Sequence, residues 1–87
     1  MIFEFERRRK QIELQFDYWL EDAKTAKQSV TKATMLGDLV WSRAAKRHYD
    51  IAVENARKWA KAMGETEGYG IVLKGNMEDK IAKLNEE

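Results

Sequence analysis

The residue best suited to acid–base chemistry is His48, the one histidine in the chain. A histidine that acts as a base needs an orienting carboxylate and a nucleophile within hydrogen-bond reach. Asp50 is close in sequence but would point about 200° away from His48 on a helix, because successive residues turn by about 100°. Ser42 lies six residues before His48 and shares no helix face with it. The sequence therefore predicts no catalytic site, and we expect a protein that is not an enzyme.

Carboxylates recur every four residues from Glu13 to Glu21, a spacing that could hold a metal ion or share a proton. A di-iron helical bundle would also need a glutamate three residues from a histidine. Ala45 and Ile51 occupy these positions around His48. The chain has no cysteine, which excludes thiolate metal sites and disulfides, and its glycines lack the spacing of a phosphate-binding loop. We expect no metal and no other cofactor.

Two groups of basic residues could contact the phosphate backbone of a nucleic acid. The first group is Arg7, Arg8, Arg9 and Lys10, and the second is Arg43, Lys46 and Arg47. Four consecutive residues of a helix point in four directions, so the first group does not by itself form one patch. The net charge of +1 gives no overall attraction to nucleic acid. Nucleic-acid binding through these groups is the alternative interpretation of function.

Apolar residues at seven-residue spacing predict a long first helix, at about residues 2–32. One position of the repeat holds Ile2, Phe16, Ala23 and Val30, and the position three residues later holds Phe5, Ile12, Trp19, Ala26 and Ala33. Such a stripe is typical of coiled coils and needs another helix to cover it. Arg9 breaks the stripe, so it either pairs with a carboxylate from a facing helix or marks the end of the seam.

The apolar residues after Gly37 follow a second stripe, whose phase differs from that of the first by about 200°. They are Trp41, Ala45, Tyr49, Ala52, Ala56, Trp59 and Met63. One continuous helix would carry the stripes on opposite sides, whereas a turn near residues 31–38 lets them face each other. We predict an antiparallel hairpin with a second helix at about 35–64, capped by Thr34 and ended by Gly64 in the left-handed conformation.

Residue sizes support the hairpin, because large side chains would face small ones. At the turn, the large residues over the alanine-rich end of the first helix would be Leu36, Leu39, Val40 and Trp41. At the other end, Trp59 and Met63 would pack against Phe5 and Ile12. These contacts would give a core between the two helices.

Glycines interrupt the segment between residues 65 and 76. Within it, Tyr69 and residues 71–73 have the character of a strand, with too few residues to make a sheet. Asn76 would cap a short last helix at about 76–86, whose apolar stripe is Met77, Ile81 and Leu84. The predicted fold is all-α, a single domain over residues 1–87 that consists of the hairpin, a glycine-punctuated loop and this short helix.

Several apolar residues lie off the first stripe and widen the apolar surface of the first helix. They are Phe3, Leu14, Tyr18 and Leu20. Aromatic side chains on an apolar surface beside acids are typical of a protein-binding hot spot. Two outcomes are open at this point: a partner covers these residues, or the C-terminal segment 69–84 folds back over them.

A chain of 87 residues buries a marginal core. Without disulfides or a metal, the usual remaining support is self-association, so we expect a homodimer. Charge blocks in the first helix, basic at 7–10, acidic at 11–23 and basic at 24–32, would set the direction of helix pairing. The N-terminal residues lack the order of a signal peptide, and no apolar run is long enough to span a bilayer. We expect a soluble cytoplasmic protein with no membrane partner.

The run from His48 to Ala52, followed by Ala60 and Ala62, resembles the second helix of a tetratricopeptide repeat, although no second copy follows. This resemblance carries no function to the chain. The composition of this short chain, which lacks proline and cysteine, is similar to that of accessory proteins of phages and mobile elements. We predict a non-enzymatic protein–protein interaction module, such as an adaptor, inhibitor or assembly factor. Its apolar and aromatic helical face would bind a protein partner or a second copy.

Overall fold

Three helices make up the described part of the chain. The structure is a computed structural model that describes residues 2–66 and 68–86, with side chains from residue 6 onward. The helix α1 spans Ile2–Met35, α2 spans Leu39–Gly64 and α3 spans Gly70–Leu84. Side-chain contacts between residues 22 and 48 and between residues 34 and 42 show that α1 and α2 run antiparallel. The predicted all-α hairpin with a short C-terminal helix is confirmed.

The turn between α1 and α2 occupies residues 36–38, at the end of the predicted region 31–38, so α1 ends later and α2 begins later than predicted. Gly37 has a positive φ of 72°, a conformation that glycine adopts without steric cost. The Asp38 carboxylate accepts a hydrogen bond of 2.9 Å from the backbone N–H of Trp41. Asp38 is therefore the residue that caps α2.

Thr34, the predicted cap of the second helix, lies instead inside α1. Its hydroxyl donates a hydrogen bond of 2.7 Å to the carbonyl of Val30. The helix continues past Thr34 because Gly37, in the left-handed conformation, lets the N–H of Asp38 bond back to the carbonyl of Ala33. The prediction of Thr34 as the N-terminal cap of α2 was wrong, since α1 extends through Thr34 and ends at the turn that contains Gly37.

Replacing Asp38 with alanine is expected to lower the free energy of unfolding by about 1 kcal/mol, because the N–H of Trp41 loses its acceptor. Urea denaturation followed by circular dichroism measures this change. Asp38→Asn keeps a side-chain oxygen at the same place, so it should retain most of the stability. Equal losses in the two variants would contradict the capping role.

The core lies between large residues of α1 and small residues of α2. Ile12, Phe16 and Leu20 are buried on α1. The buried residues of α2 in the same cluster are Ala52, Ala56, Ala60 and Met63. Small residues let the two backbones approach, and large residues fill the space that is left. Trp59 packs against this cluster as predicted, whereas the side chain of Phe5 lies outside the described residues.

The predicted packing at the turn was wrong for three of its four residues, whereas Trp41 lines a groove with Ala26 of α1. Leu36, Leu39 and Val40 are 67%, 70% and 82% exposed. The turn is only three residues long and α2 begins at Leu39, so these residues lie at the end of the hairpin and not over the alanines of α1. Along α2, the first buried residue is Ala45. The end of the hairpin therefore presents apolar side chains outward.

The helix α3 begins at Gly70, six residues before the predicted start at Asn76. Residues 71–73, predicted to have strand character, lie in its first turn. An apolar stripe at helical spacing docks α3 on the hairpin, and it consists of Leu73, Met77, Ile81 and Leu84. Burial of this stripe outweighs the low helix propensity of the β-branched residues and of Gly75. The strand prediction was wrong because it considered only local propensity.

The connection between α2 and α3 turns at Thr66 and Gly68. The positive φ, 73°, belongs to Gly68, whereas Gly64 is the last residue of α2 and does not take the predicted left-handed conformation. The Thr66 hydroxyl donates to the Met63 carbonyl at 2.7 Å and accepts from Nε of Arg9 at 3.4 Å. The apolar seam of α1 is therefore interrupted at Arg9 where this connection crosses it.

The third helix covers one side of the hairpin. The Leu84 carbonyl accepts a hydrogen bond from Nζ of Lys27, and the Tyr49 hydroxyl donates to Oδ1 of Asn85 at 3.3 Å. The fifteen residues of α3 extend for about 22 Å, whereas the longest dimension of the molecule is 54 Å. The opposite side of the hairpin is not covered by α3.

Candidate protein-binding surface

The side of the hairpin opposite α3 is called the open face here. Two shallow grooves between α1 and α2 mark it, one near the turn and one at the other end, and no residue of α3 lines either groove. On α1 the open face consists of Arg8, Gln11, Leu14, Gln15, Tyr18, Asp22, Thr25 and Ser29. On α2 it consists of Trp41, Ala44, His48, Ile51, Asn55, Trp59 and Ala62. Apart from the adjacent pair Leu14 and Gln15, these residues follow one another at spacings of three and four, so they share one side of each helix.

Apolar side chains stand out from the middle of the open face. Leu14 is 63% exposed, Tyr18 is 61% exposed, and Ile51 on α2 is 50% exposed. The ring of Tyr18 stacks edge-on against the half-buried Trp19, with ring centroids 5.1 Å apart. Exposed aromatic and aliphatic side chains on a folded scaffold are the kind of surface that protein partners bury.

The predicted interface residues separate into three groups. Leu14 and Tyr18 lie on the open face, where α3 does not reach them. Leu20 is only 7% exposed and belongs to the core, and it also lines the groove between α1 and α3, so it cannot contact a partner on the open face. The side chain of Phe3 lies outside the described residues. The C-terminal helix therefore folds back over Leu20 and leaves Leu14 and Tyr18 uncovered.

The open face carries few charges. Only Arg8 and Asp22, two of its fifteen residues, are Asp, Glu, Lys or Arg, which make up 36% of the chain. The Asp22 carboxylate also contacts Nε2 of His48, at 2.7 Å. Depletion of charge together with exposed aromatic residues distinguishes the centre of a protein interface from the rest of a surface.

The contact between Asp22 and His48 supplies the orienting carboxylate that the sequence did not reveal, because the two residues lie on different helices. A nucleophile would also have to reach the other ring nitrogen. Among the described residues, the hydrogen-bond partner of His48 is Asp22. The described residues also contain no cluster of three metal-ligating side chains.

The two predicted basic groups lie far apart on the hairpin. Arg43 is five residues before His48, and Lys10 is twelve residues before Asp22, so the contact between His48 and Asp22 places them about 25 Å from each other along the axis. Arg7, Arg8, Lys10 and all of Arg43, Lys46 and Arg47 are exposed, whereas Arg9 is half-buried. The groups therefore form two separate patches and not one continuous surface.

The end of the hairpin is an exposed surface that the sequence analysis missed. Met35 is 83% exposed, and Leu36, Leu39 and Val40 lie beside it around the turn. Residues 24–48 contain six basic residues against one acidic residue, a net charge of +5. The signal in the sequence was the Gly37–Asp38 pair, which places a tight turn between two apolar pairs.

No protein-family model, curated protein or solved structure matches this chain. In the part of the chain that the structure describes, no helix is both long and apolar enough to cross a membrane.

Proposed function

We propose that this protein is a non-enzymatic protein-interaction module that acts through the open face. The observation that supports this function is the exposure of Leu14, Tyr18 and Ile51 on a side of the hairpin that has few charges and no covering helix. Such a module would act as an adaptor, inhibitor or assembly factor, since occupying a surface requires no reacting groups. The lack of cysteine suits a reducing compartment, and we propose that the protein acts in the cytoplasm.

The open face should be separable from the core by mutation. Replacing Leu14 and Tyr18 together with glutamine is expected to leave the helix content and melting temperature close to those of the wild type, because both side chains are mostly exposed. The same double variant should lose the protein partner, measured by affinity capture from cells that naturally make the protein, followed by quantitative mass spectrometry.

A matched control comes from α3, where Ile71 and Val72 are 72% and 58% exposed. Replacing both of these with glutamine removes a similar exposed apolar area from another surface, so the partner should be retained. Loss of the partner in this control, or its retention in the Leu14 and Tyr18 variant, would contradict the proposed site.

Nucleic-acid binding is the second candidate function, and the net charge of +5 over residues 24–48 favours it. Binding to phosphates weakens steeply with salt because counterions are released, whereas apolar docking does not. Repeating the capture at low and high salt, with and without nuclease, therefore separates the two functions. A partner that resists both treatments supports docking through the open face.

A further inference from the structure

The end of the hairpin projects beyond α3. The carbonyl of the last residue of α3 accepts a hydrogen bond from Nζ of Lys27, and the next residue accepts one from the Tyr49 hydroxyl. Lys27 is eight residues before Met35, where α1 ends, and Tyr49 is ten residues after Leu39, where α2 begins. At about 1.5 Å per residue, the hairpin extends about 12–15 Å past this level. The helix α3 therefore does not reach the end of the hairpin.

Four apolar side chains cover this end on both sides of the turn. They are Met35, Leu36, Leu39 and Val40, with exposed fractions of 83%, 67%, 70% and 82%. Because they surround the tip of two helices, they form a convex surface and not a groove. An exposed apolar patch of this kind, bordered by polar residues, marks a place that a protein or a membrane covers.

Exposed cations lie directly behind the apolar side chains. They are Lys32 on α1 and Arg43, Lys46 and Arg47 on α2. Lys32 is three residues before the end of α1, and the other three are four to eight residues after the start of α2, so all lie about 5–12 Å behind the end of the hairpin. Within the described residues, none of these four cations forms an ion pair.

The other charges of this region are already engaged. Lys24 lines the groove beside α3 and Lys27 bonds to α3, so neither belongs to the group of four cations. Between residues 23 and 49 the one acidic residue is Asp38. Its carboxylate accepts the N–H of Trp41 at the start of α2, where the helix dipole favours a negative charge. The end of the hairpin therefore keeps an excess of positive charge.

We propose that the end of the hairpin binds the surface of an anionic lipid bilayer. The four apolar side chains insert below the headgroups, and the four cations lie at the level of the lipid phosphates. Along the hairpin an apolar layer is followed by a cationic layer, and a bilayer presents the complementary order within the depth of about 5–10 Å to which surface-bound segments insert. This surface differs from the open face, so the inference does not depend on the proposed function.

A bilayer fits this surface better than two other partners do. The cross-section of the molecule is 20 by 13 Å, which offers much less flat area than the roughly 800 Å² that each side of a standard protein interface buries. A nucleic acid would pair with the cations through its phosphates but would leave the apolar side chains uncovered. The bilayer surrounds each inserted side chain with hydrocarbon, and its phosphates meet the cations.

The sequence-based expectation of no membrane partner rests on the order of the N-terminal residues and on the lack of an apolar run that could span a bilayer. A hairpin that inserts four side chains at a bilayer surface needs neither a signal peptide nor a spanning run. The exposure and charge of the hairpin end favour a membrane surface as a partner. The cytoplasmic leaflet carries the required negative charge.

Vesicle flotation tests the inference. The wild type is expected to bind vesicles of about one quarter phosphatidylserine and three quarters phosphatidylcholine much more tightly than vesicles of phosphatidylcholine alone. Met35→Gln with Val40→Gln should bind the anionic vesicles at least about tenfold more weakly, because two inserted side chains lose their apolar character. Ile71→Gln with Val72→Gln makes a similar change on α3 and should bind as the wild type does. A wild type that does not bind, or equal losses in the two variants, would overturn the inference.

The cations have a matched test of their own. Arg43→Gln with Arg47→Gln should weaken vesicle binding about 25-fold, since each cation near an anionic surface contributes about fivefold. Arg7→Gln with Lys10→Gln removes the same net charge at the opposite end of the hairpin, so it should weaken binding by less than about twofold. Equal effects of the two pairs would show that net charge alone drives binding, which contradicts a site at the hairpin end.

Insertion can be measured separately, because the chain has no cysteine of its own. An environment-sensitive dye attached to Val40→Cys should brighten on the anionic vesicles and should be quenched by lipids that carry a nitroxide on the acyl chain. The same dye on Ile71→Cys should remain in water and show neither change. A dye at position 40 that stays unquenched on bound protein would overturn insertion.

The remaining outcomes separate this inference from the open face and from other partners. The Leu14→Gln, Tyr18→Gln double variant should bind vesicles as the wild type does, even where it loses its protein partner. Binding to a duplex oligonucleotide without binding to vesicles would assign the cations to nucleic acid and overturn the inference. Capture of an acidic protein that depends on Met35 and Val40, again without binding to vesicles, would overturn it as well.

Discussion

Replacing Phe16 with alanine is expected to lower the free energy of unfolding by about 3–5 kcal/mol. The side chain is fully buried in the core cluster between α1 and α2, so its removal loses apolar burial and leaves a cavity. Natural domains have a stability of about 5–15 kcal/mol, and a domain this small lies towards the lower end. Urea denaturation should therefore show a protein close to unfolding in water.

The control for Phe16 is Leu14→Ala, two residues away on the same helix. Leu14 is 63% exposed, so its truncation should change the free energy of unfolding by no more than about 0.5 kcal/mol. If Leu14→Ala were as destabilising as Phe16→Ala, Leu14 would be a core residue. The open face would then lose its main support.

Replacing Gly70 with alanine is expected to destabilise the protein by about 1–3 kcal/mol. A Cβ at Gly70 would collide with the Thr66 hydroxyl and with the backbone carbonyl of Met63. Because this carbonyl belongs to the end of α2, α3 must move away from α2 to accommodate the methyl group. Thermal denaturation should show a lower midpoint temperature and a smaller increase in heat capacity on unfolding.

Gly75→Ala makes the same chemical change in the same helix and should have the opposite effect. No atom lies within 4 Å of a Cβ at Gly75, and alanine favours a helix over glycine by up to about 1 kcal/mol. The midpoint should therefore rise. Shifts of the same sign in the two variants would contradict the close approach of α3 to α2 at Gly70.

Periodicity in the sequence was sufficient to predict the hairpin. The two apolar stripes differ in phase, and only a reversal of the chain lets both be buried together. Phe16 and Met63, each on its predicted stripe, are fully buried. The pattern did not predict how deeply each residue of a stripe is buried, since Trp19 and Trp59 are half-buried although they occupy core positions.

The sequence was less informative wherever the outcome depended on a particular turn or on burial by another helix. Thr34 and Asp38 are both good caps, and the position of the left-handed Gly37 decided between them. Residues 71–73 have local strand propensity, but docking of α3 on the hairpin makes them helical.

The candidate surface was likewise predicted only in part. Leu14 and Tyr18 were found from the sequence because they lie off the apolar stripe. Leu20 was misplaced, since its position off the stripe faces α3, and the sequence left open whether the C-terminal segment covers the first helix. The contact between Asp22 and His48 depends on the register of α1 against α2. The apolar pattern of the sequence does not specify that register.

Sedimentation equilibrium on the wild type and on the Leu14→Gln, Tyr18→Gln double variant tests most directly whether the open face binds protein, because the marginal core of so short a chain predicts a homodimer. The chain has a mass of 10.2 kDa. At high micromolar concentration, the wild type is expected to approach twice this mass, and the double variant is expected to sediment as a folded monomer. A wild type that stays at 10.2 kDa, or a double variant that dimerises as the wild type does, would contradict the account.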